Sequence, residues 1–283
     1  MPKFSIITIN YNNLDGLKRT IESVVNQTWQ EFEYIVIDGG SSDGSSAYIE
    51  SQSTNIDFWV SESDKGIYNA MNKGIKVANG EYLLFLNSGD HFYDNRVLEK
   101  FHSLIGEFDL IYFDEYRVGE RLSEIVKYPS KLNFSNLYLS SLSHPNTFIN
   151  KNLFDKVGLY DESLRIVSDW KFSILALFKY NCTYLKVDGV LSVFYLDGIS
   201  FLEDNSKERN KVLNDYFKPF VDDYEEFVRN RNELNHNKSI LQSNRFKMLF
   251  EIEKTKGGMK IVSLFFRIYI IFFSKEKIKD VLN

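Results

Sequence analysis

The chain has a single cysteine, Cys182, among its 283 residues. An internal disulfide is therefore excluded, which suits a reducing compartment. Cys182 has no neighbouring histidine or acid, so a nucleophilic thiol is not expected either. No uncharged, predominantly apolar run reaches the roughly 18 residues that suggest a membrane span. The opening Met1-Pro-Lys-Phe4 lacks the long apolar stretch of a signal peptide. A cytoplasmic protein is the expectation. Excess positive charge is missing as well: a net charge of -5 gives nucleic acid no footing. Internal repeats and low-complexity tracts are absent. Aromatic residues are plentiful, at 16% with 24 Phe and 17 Tyr. They supply a heavy core and leave some for a sugar-facing cleft. The length fits one large domain with an appendage or two small domains, with a sizeable core in either case.

Three apolar runs each end in a polar turn. Phe4-Ser-Ile-Ile-Thr-Ile9 runs into Asn10-Tyr-Asn-Asn13, Glu33-Tyr-Ile-Val-Ile37 into Asp38-Gly-Gly-Ser-Ser-Asp43-Gly44, and Tyr82-Leu-Leu-Phe-Leu86 into Asn87-Ser-Gly-Asp90-His91. Short β-branched or aromatic runs that give way to helical patterns read as parallel strands. Leu14, Leu17, Ile21, Val24 and Val25 share one helical face, with Asn13 as N-cap. Ser45 to Ser51 reads as a second helix, and Phe58-Trp-Val60 as a short strand. Ile67, Ala70, Met71, Gly74, Ile75 and Ala78 give a third helix, stopped by Asn79-Gly80. The order β-α-β-α-β-α-β implies an α/β fold with a mostly parallel sheet covered on both faces. Ligands of such sheets bind beyond the carboxyl ends of the strands. The chain therefore directs Asn, Tyr and Asp side chains at one crevice.

After Asp90 the pattern loosens. Val97 to Ile105 reads as a helix, Leu110 to Phe113 and Pro145 to Ile149 as strands, and Ser168 to Tyr180 as a helix capped by Ser168. Tyr184 to Val187 and Val190 to Tyr195 read as two strands about a hairpin turn at Asp188-Gly189. From Asn205 strand signals vanish, and helices are expected to about 255, with a break at Lys256-Gly-Gly258. Residues 251–283 carry +3, which leaves -8 on the rest of the chain. An apolar, basic tail over 256–283 suits a helix lying on an anionic bilayer. Docking on its own protein or on a twin subunit in a homodimer is the alternative.

Five stretches together resemble the nucleotide-sugar half of glycosyltransferase family 2, the inverting enzymes of GT-A fold. They are Ser5-Ile-Ile-Thr-Ile-Asn-Tyr-Asn12, Ser23-Val-Val-Asn-Gln-Thr28, Tyr34-Ile-Val-Ile-Asp-Gly-Gly-Ser-Ser-Asp-Gly44, Ala70-Met-Asn-Lys-Gly-Ile75 and Gly80-Glu-Tyr-Leu-Leu-Phe-Leu-Asn-Ser-Gly-Asp90. The form Glu62-Ser-Asp-Lys-Gly-Ile-Tyr-Asn-Ala-Met-Asn-Lys-Gly74 is similar to a subgroup that builds bacterial surface polysaccharides. Weaker similarity continues through His144-Pro145, Asp169-Trp170 and Gly198-Ile-Ser200. The implied architecture is a GT-A (nucleotide-diphospho-sugar transferase) domain over 1–204, with a nucleotide-binding half, 1–90, and an acceptor half, 91–204. A helical extension follows over 205–283.

The resemblance also implies roles. The matching Asp38 holds the nucleoside, for which a charge-assisted hydrogen bond is strong, although an Asp before Gly is also a turn former. Tyr11 can stack on the base. Asn10, Asp64, Lys65, Asn69, Asn87 and Ser88 complete the nucleotide-sugar site, while Asp43 fits a turn equally well. The family writes its metal site as Asp-x-Asp-Asp. Here Asn87 and Gly89 replace two acids, and Asp90 remains for a divalent cation, Mn²⁺ or Mg²⁺. Inversion needs one general base on the acceptor side, and Asp169 matches it, with Asp161-Glu162 as runners-up. An acid in the first turn also stabilises its helix. His144 and Trp170 fall on the acceptor side, and His102 and His236 read as surface residues. The implied partners are a nucleoside-diphosphate sugar, UDP first, and a glycan or lipid-linked glycan. A sugar nucleotidyltransferase would want a Gly-rich basic loop after the first strand, which Asn10-Tyr-Asn-Asn-Leu-Asp15 does not supply. A non-catalytic binding module of the same fold is motivated by the acids missing at 87 and 89.

Overall fold

Seven consecutive buried residues form β1 (Phe4–Asn10), flanked on both sides by parallel neighbours, β2 (Glu33–Asp38) and β4 (Tyr82–Phe85). The computed structural model describes residues 2–119, 123–196, 198 and 202–273. Ile199, Ser200 and the end of the tail, 274–283, lie outside these. Three helices make the crossovers: α1 (Leu14–Val25), α2 (Ser45–Ser51) and α3 (Ile67–Val77), with β3 (Phe58–Ser61) at the sheet edge beside β2. Strand periodicity assigns the faces. Leu17, Ile21 and Val24 of α1 and Ile49 of α2 share a core cluster with Phe4, Ile6, Tyr34, Val36 and Leu84. Ile7 and Ile37 face the other way, where Gly74 of α3 lies against them. Asn13 caps α1 as its type predicts, its Oδ1 accepting from the Gly16 N–H at 3.2 Å.

Among the described residues, nine strands make one sheet, in the order β3-β2-β1-β4-β8-β6-β9-β5 with β7 beside β6. These later strands are β5 (His91–Phe92), β6 (Leu110–Val118), β7 (Ser123–Val126), β8 (Thr147–Asn150) and β9 (Tyr184–Tyr195). Beyond β4 the sheet turns mixed: β8 runs antiparallel to β4 and β6, while β6 and β9 are parallel. Four short helices, α4 (Val97–Phe101), α5 (Phe134–Leu139), α6 (Asn152–Val157) and α7 (Ser168–Phe178), complete this half.

Two local expectations are corrected. Asp188-Gly189 does not turn a hairpin. The chain continues as the single strand β9, because both of its halves pair with β6 and the surplus residues are absorbed as a bulge between Tyr112 and Glu115. Gly189 takes φ 137° there, and a side chain would strike the Phe101 ring. Ser168 is the first helical residue of α7, not its cap. Val167 occupies the cap position, and the Ser168 hydroxyl accepts from the Asp161 N–H at 2.5 Å.

The chain divides into two compact units, Met1–Phe217 and Lys218–Asn283. Helix α8 (Ser206–Gln242) spans the boundary, with non-helical backbone at Phe217 (φ -134°) two residues before Pro219. That proline removes a donor and crowds the preceding turn. In the second unit, α9 (Asn244–Glu253) and α10 (Lys256–Phe273) follow, so the break falls at Lys254-Thr255, ahead of the two glycines.

Candidate active site

The carboxyl ends of β1 and β2 meet at Asp38, which is fully buried. Its Oδ1 accepts from Asn10 Nδ2 at 2.7 Å and Ser41 Oγ at 2.5 Å. Its Oδ2 accepts from the Ser41 N–H at 2.9 Å and Ser61 Oγ at 2.6 Å. Burial raises such a carboxyl, but the Ser41, Ser61 and Asn10 bonds outweigh it and hold Asp38 below its ordinary range. Asp38 thus ties the ends of β1, β2 and β3 together. The groups above it are open: Tyr11 is 66% exposed. A side chain at Gly39 would meet Asp64 Oδ2 and the Tyr11 ring, so glycine there lets that carboxylate and ring converge. Asp43 is a double cap, accepting from Leu14 N at 2.8 Å and Ser45 N at 3.0 Å.

Lys65 is exposed, and its N–H bonds Asn69 Oδ1. Asn69 Nδ2 reaches across to Glu162 at 2.8 Å. Ser88 is held by Asn13 Nδ2 through its carbonyl at 3.1 Å and its hydroxyl at 3.3 Å. His91 turns away: its Nδ1 lies on the Phe92 carbonyl and its Nε2 on the Tyr195 hydroxyl.

One imidazole joins the remaining acids. His144 lies in the single turn His144–Asn146 before β8. Its Nε2 stands 3.5 Å from Asp90 Oδ2, and its Nδ1 stands 3.4 Å from Asp169 Oδ2. Burial alone would lower the imidazole; Asp169 and Asp90 together lift it to about 9. Asp169 is held below its ordinary range, because His144, the Tyr68 hydroxyl and the Trp170 N–H outweigh burial. Asp90 is pushed up by burial, with the buried Glu115 adding to it. Asn87 Nδ2 lies 2.9 Å from His144 Nε2, and Asn87 Oδ1 is buried with no hydrogen-bond partner. With His144 protonated its Nε2 is a donor, so the side-chain oxygen is the Asn87 atom that suits it.

The runner-up acids are engaged. Asp161 accepts from Lys171 at 2.7 Å and from Ser163, and Glu162 accepts from Asn69 and Asn72. Trp170 does not face the hollow. It is 2% exposed, its indole N–H donates to the Leu137 carbonyl, and Arg209 stacks on its ring at 4.1 Å. Sequence reasoning missed Tyr68, Glu115 and Arg209. Tyr68 was detectable as a hydroxyl inside an apolar helical stripe; Glu115 carried no signal beyond lying in a strand.

An open α/β sheet with polar strand ends, a mixed second half joined to it and acids gathered where the two meet is the architecture of the GT-A type of fold. The model of glycosyl transferase family 2 matches residues 5–158. An uncharacterised glycosyltransferase of Mycobacterium tuberculosis is 34% identical over 204 residues, covering 70% of this chain and 77% of the relative. The PGL/p-HBAD biosynthesis glycosyltransferase of Mycobacterium bovis is 30% identical over 180 residues, covering 61% and 69%. The chain belongs to glycosyltransferase family 2. Among solved structures, S. aureus TarS in complex with UDP-GlcNAc superposes with a TM-score of 0.61 at 20% identity, covering 75% of this chain and 64% of that one. The mannosyltransferase PcManGT of Pyrobaculum calidifontis, in complex with GDP-Man and Mn²⁺, gives 0.55 at 13% identity, covering 71% and 59%. Both share the GT-A type of fold.

Proposed function

We propose that this protein is an inverting glycosyltransferase. It moves a sugar from a nucleoside diphosphate, UDP first, to a glycan or lipid-linked glycan in surface polysaccharide assembly. The observation that carries the reading is the line Asp90–His144–Asp169, which sets an acid on the donor side 3.5 Å from one imidazole nitrogen and a second acid 3.4 Å from the other. Asp169 takes the proton of the acceptor hydroxyl as that oxygen attacks the anomeric carbon from the face opposite the diphosphate. An α-linked donor gives a β product. Tyr11, Asp64 and Asn10 receive the nucleoside over the Asp38 platform, and Lys65, Asn69, Asn87 and Ser88 line the path of the phosphates. His144 faces the acceptor side, and Trp170 supports that wall from behind. The TarS complex with UDP-GlcNAc and the PcManGT complex with GDP-Man, each on this fold, support a sugar-nucleotide donor.

A divalent cation fits the oxygen donors present, though sparsely. Among the described residues no group of three or more His, Cys, Asp or Glu forms a cage. Mg²⁺ commonly takes one or two carboxylates and leaves the rest to water and substrate phosphates. Asp90 and the Asn87 side-chain oxygen would be the protein's share. Bound there, the cation would supply neutralisation of the leaving diphosphate.

Among the described residues no helix is long and apolar enough to cross a membrane. In α10, Lys256, Lys260 and Arg267 fall within a sector about 40° wide at 3.6 residues per turn. Ile261, Leu264, Phe265 and Ile268 lie exposed beside that stripe. This pattern supports a helix in the plane of an anionic inner leaflet, where a lipid-linked acceptor would be met.

The test is a transfer assay with UDP-, GDP- and dTDP-sugars, with and without Mn²⁺, on polyprenyl-diphosphate-linked saccharides, reading product anomeric configuration by NMR. A β product from an α donor, lost in Asp169→Asn, is expected. A retained configuration, or nucleotide binding without turnover on any donor, defeats the proposal.

A further inference from the structure

Tyr68 is the second residue of α3, in the nucleotide-binding half, and is 5% exposed. Its hydroxyl reaches the acceptor half, lying 2.5 Å from the Ile166 carbonyl and 2.9 Å from Asp169 Oδ1. A phenol has one proton and cannot donate to both at once. Asp169 Oδ1 also accepts the Trp170 N–H at 2.9 Å, whereas Oδ2 is the oxygen turned toward His144. The two carboxylate oxygens therefore have different work.

We propose that Tyr68 is the positioning residue of the base: it occupies Asp169 Oδ1 and leaves Oδ2 to take the acceptor's proton. This rests on the reading of Asp169 as base. The proton leaves the acceptor hydroxyl for Oδ2. The freed oxygen pair forms the bond to the anomeric carbon, and the carbon–phosphate oxygen bond breaks with its electrons on the diphosphate. Tyr68 stays protonated throughout. Before the step its donated hydrogen bond favours the ionised carboxylate. After it, Oδ1 is the carbonyl oxygen of a neutral acid and accepts the Tyr68 proton more weakly. Burial keeps this phenol neutral, with Asp169 adding to the effect.

The titratable and charged groups facing Asp169 are Tyr68 from α3, His144 before β8, Tyr160 from the segment before α7 and Arg209 from α8. Tyr68 and His144 hydrogen-bond to the carboxylate. Arg209 spends its Nη2 on the carbonyls of Leu137, Tyr138 and Ser140.

The experiment compares kcat against pH, donor KM and the melting point for the parent, Tyr68→Phe and Asp169→Asn, and for protein carrying 3-fluorotyrosine at position 68. Losing the donated bond lets the base titrate higher, so Tyr68→Phe is expected to move the acid limb of kcat up by about one pH unit. Donor KM should stay within about twofold, since the effect lies in the chemical step. The fluorinated phenol keeps its shape and donates more strongly, so its limb moves down. It also serves if Tyr68→Phe does not fold. Asp169→Asn should lose about 10²-fold or more. A fluorotyrosine limb that coincides with the parent's, beside an inactive Asp169→Asn, overturns the role of Tyr68 alone. An active Asp169→Asn overturns the base itself. A lower melting point in Tyr68→Phe with an unmoved limb shows packing and nothing more.

Discussion

Asp38→Asn separates a nucleoside ligand from the platform beneath it. The carboxylate takes four hydrogen bonds, two on each oxygen. An amide keeps one oxygen and so two of these. Its NH₂ then confronts two former donors. On the Oδ2 side the Ser61 hydroxyl can turn and accept, but the Ser41 N–H cannot; on the Oδ1 side the Ser41 hydroxyl can turn, and Asn10 can answer only by flipping its amide, which puts its Nδ2 where its Oδ1 now lies buried without a partner. Either way one buried donor is stranded, at about 1–3 kcal/mol, and the retained bonds lose their charge assistance, for a total of about 3 kcal/mol. In a unit of this size each kcal/mol moves the melting point by about 2–4 °C, so a fall of about 6–12 °C is expected. The assay is thermal unfolding at neutral pH without nucleotide, with Tyr11→Ala as control. Tyr11 is largely exposed, so its loss should leave the melting point within about 1–2 °C while weakening nucleotide binding. The pH dependence has a definite sign. Asp38 is held below its ordinary value of 3.8, so its contribution is present above that pH and is lost as pH falls through the lower folded value. The gap between variant and parent should narrow in acid. An Asp38→Asn protein that melts within about 2 °C of the parent would refute the platform argument.

Gly39→Ala should do the converse, because the new Cβ would meet only the movable ends of Asp64 and Tyr11. The melting point should hold within about 2 °C, while nucleotide affinity by calorimetry falls about tenfold or more, a loss of about 1.4 kcal/mol; unchanged affinity would remove Asp64 and Tyr11 from the nucleoside site. Asp161 titrates at about 2, its burial outweighed by Lys171 and Ser163. After allowance for solvent screening, Asp161→Asn should cost about 1 kcal/mol at neutral pH. A depressed carboxyl stabilises above its unfolded value, so denaturant midpoints of variant and parent should converge as pH drops from 3.8 toward 2. A gap that stays constant over that range contradicts the ion pair.

The first ninety residues were legible because each of their signals is local. Strands β1, β2 and β4 are runs of buried residues, and the caps and stops of α1 and α3 are residue types at fixed offsets. The residues after Asp90 were less so, because their elements depend on partners distant in the chain. Asp188-Gly189 has the composition of a hairpin, and an isolated chain would turn there. Pairing of both flanks with β6 makes it a bulge, and no local pattern encodes that partner. The hydroxyl of Ser168, a good capping group by type, is drawn off by the Asp161 backbone. The same tertiary competition explains Trp170, whose indole satisfies Leu137 instead of meeting a sugar.

The choice among the acceptor-side acids shows where sequence reasoning stops. Asp161, Glu162 and Asp169 lie within nine residues, and nothing in their type or spacing ranks them. Their surroundings do. Of the three, Asp169 is the one whose second oxygen meets an imidazole, which titrates at about 9. Lys171 and Ser163 occupy Asp161, and the amides of Asn69 and Asn72 occupy Glu162, one on each oxygen. Only at Asp169 are the fixed donors, Tyr68 and the Trp170 N–H, gathered on one oxygen, so that the other stands toward the imidazole it shares with Asp90. That asymmetry comes in part from α3, which lies far from α7 in the chain. A stretch within the family match therefore also touches, through one hydroxyl, the acid proposed above as the base.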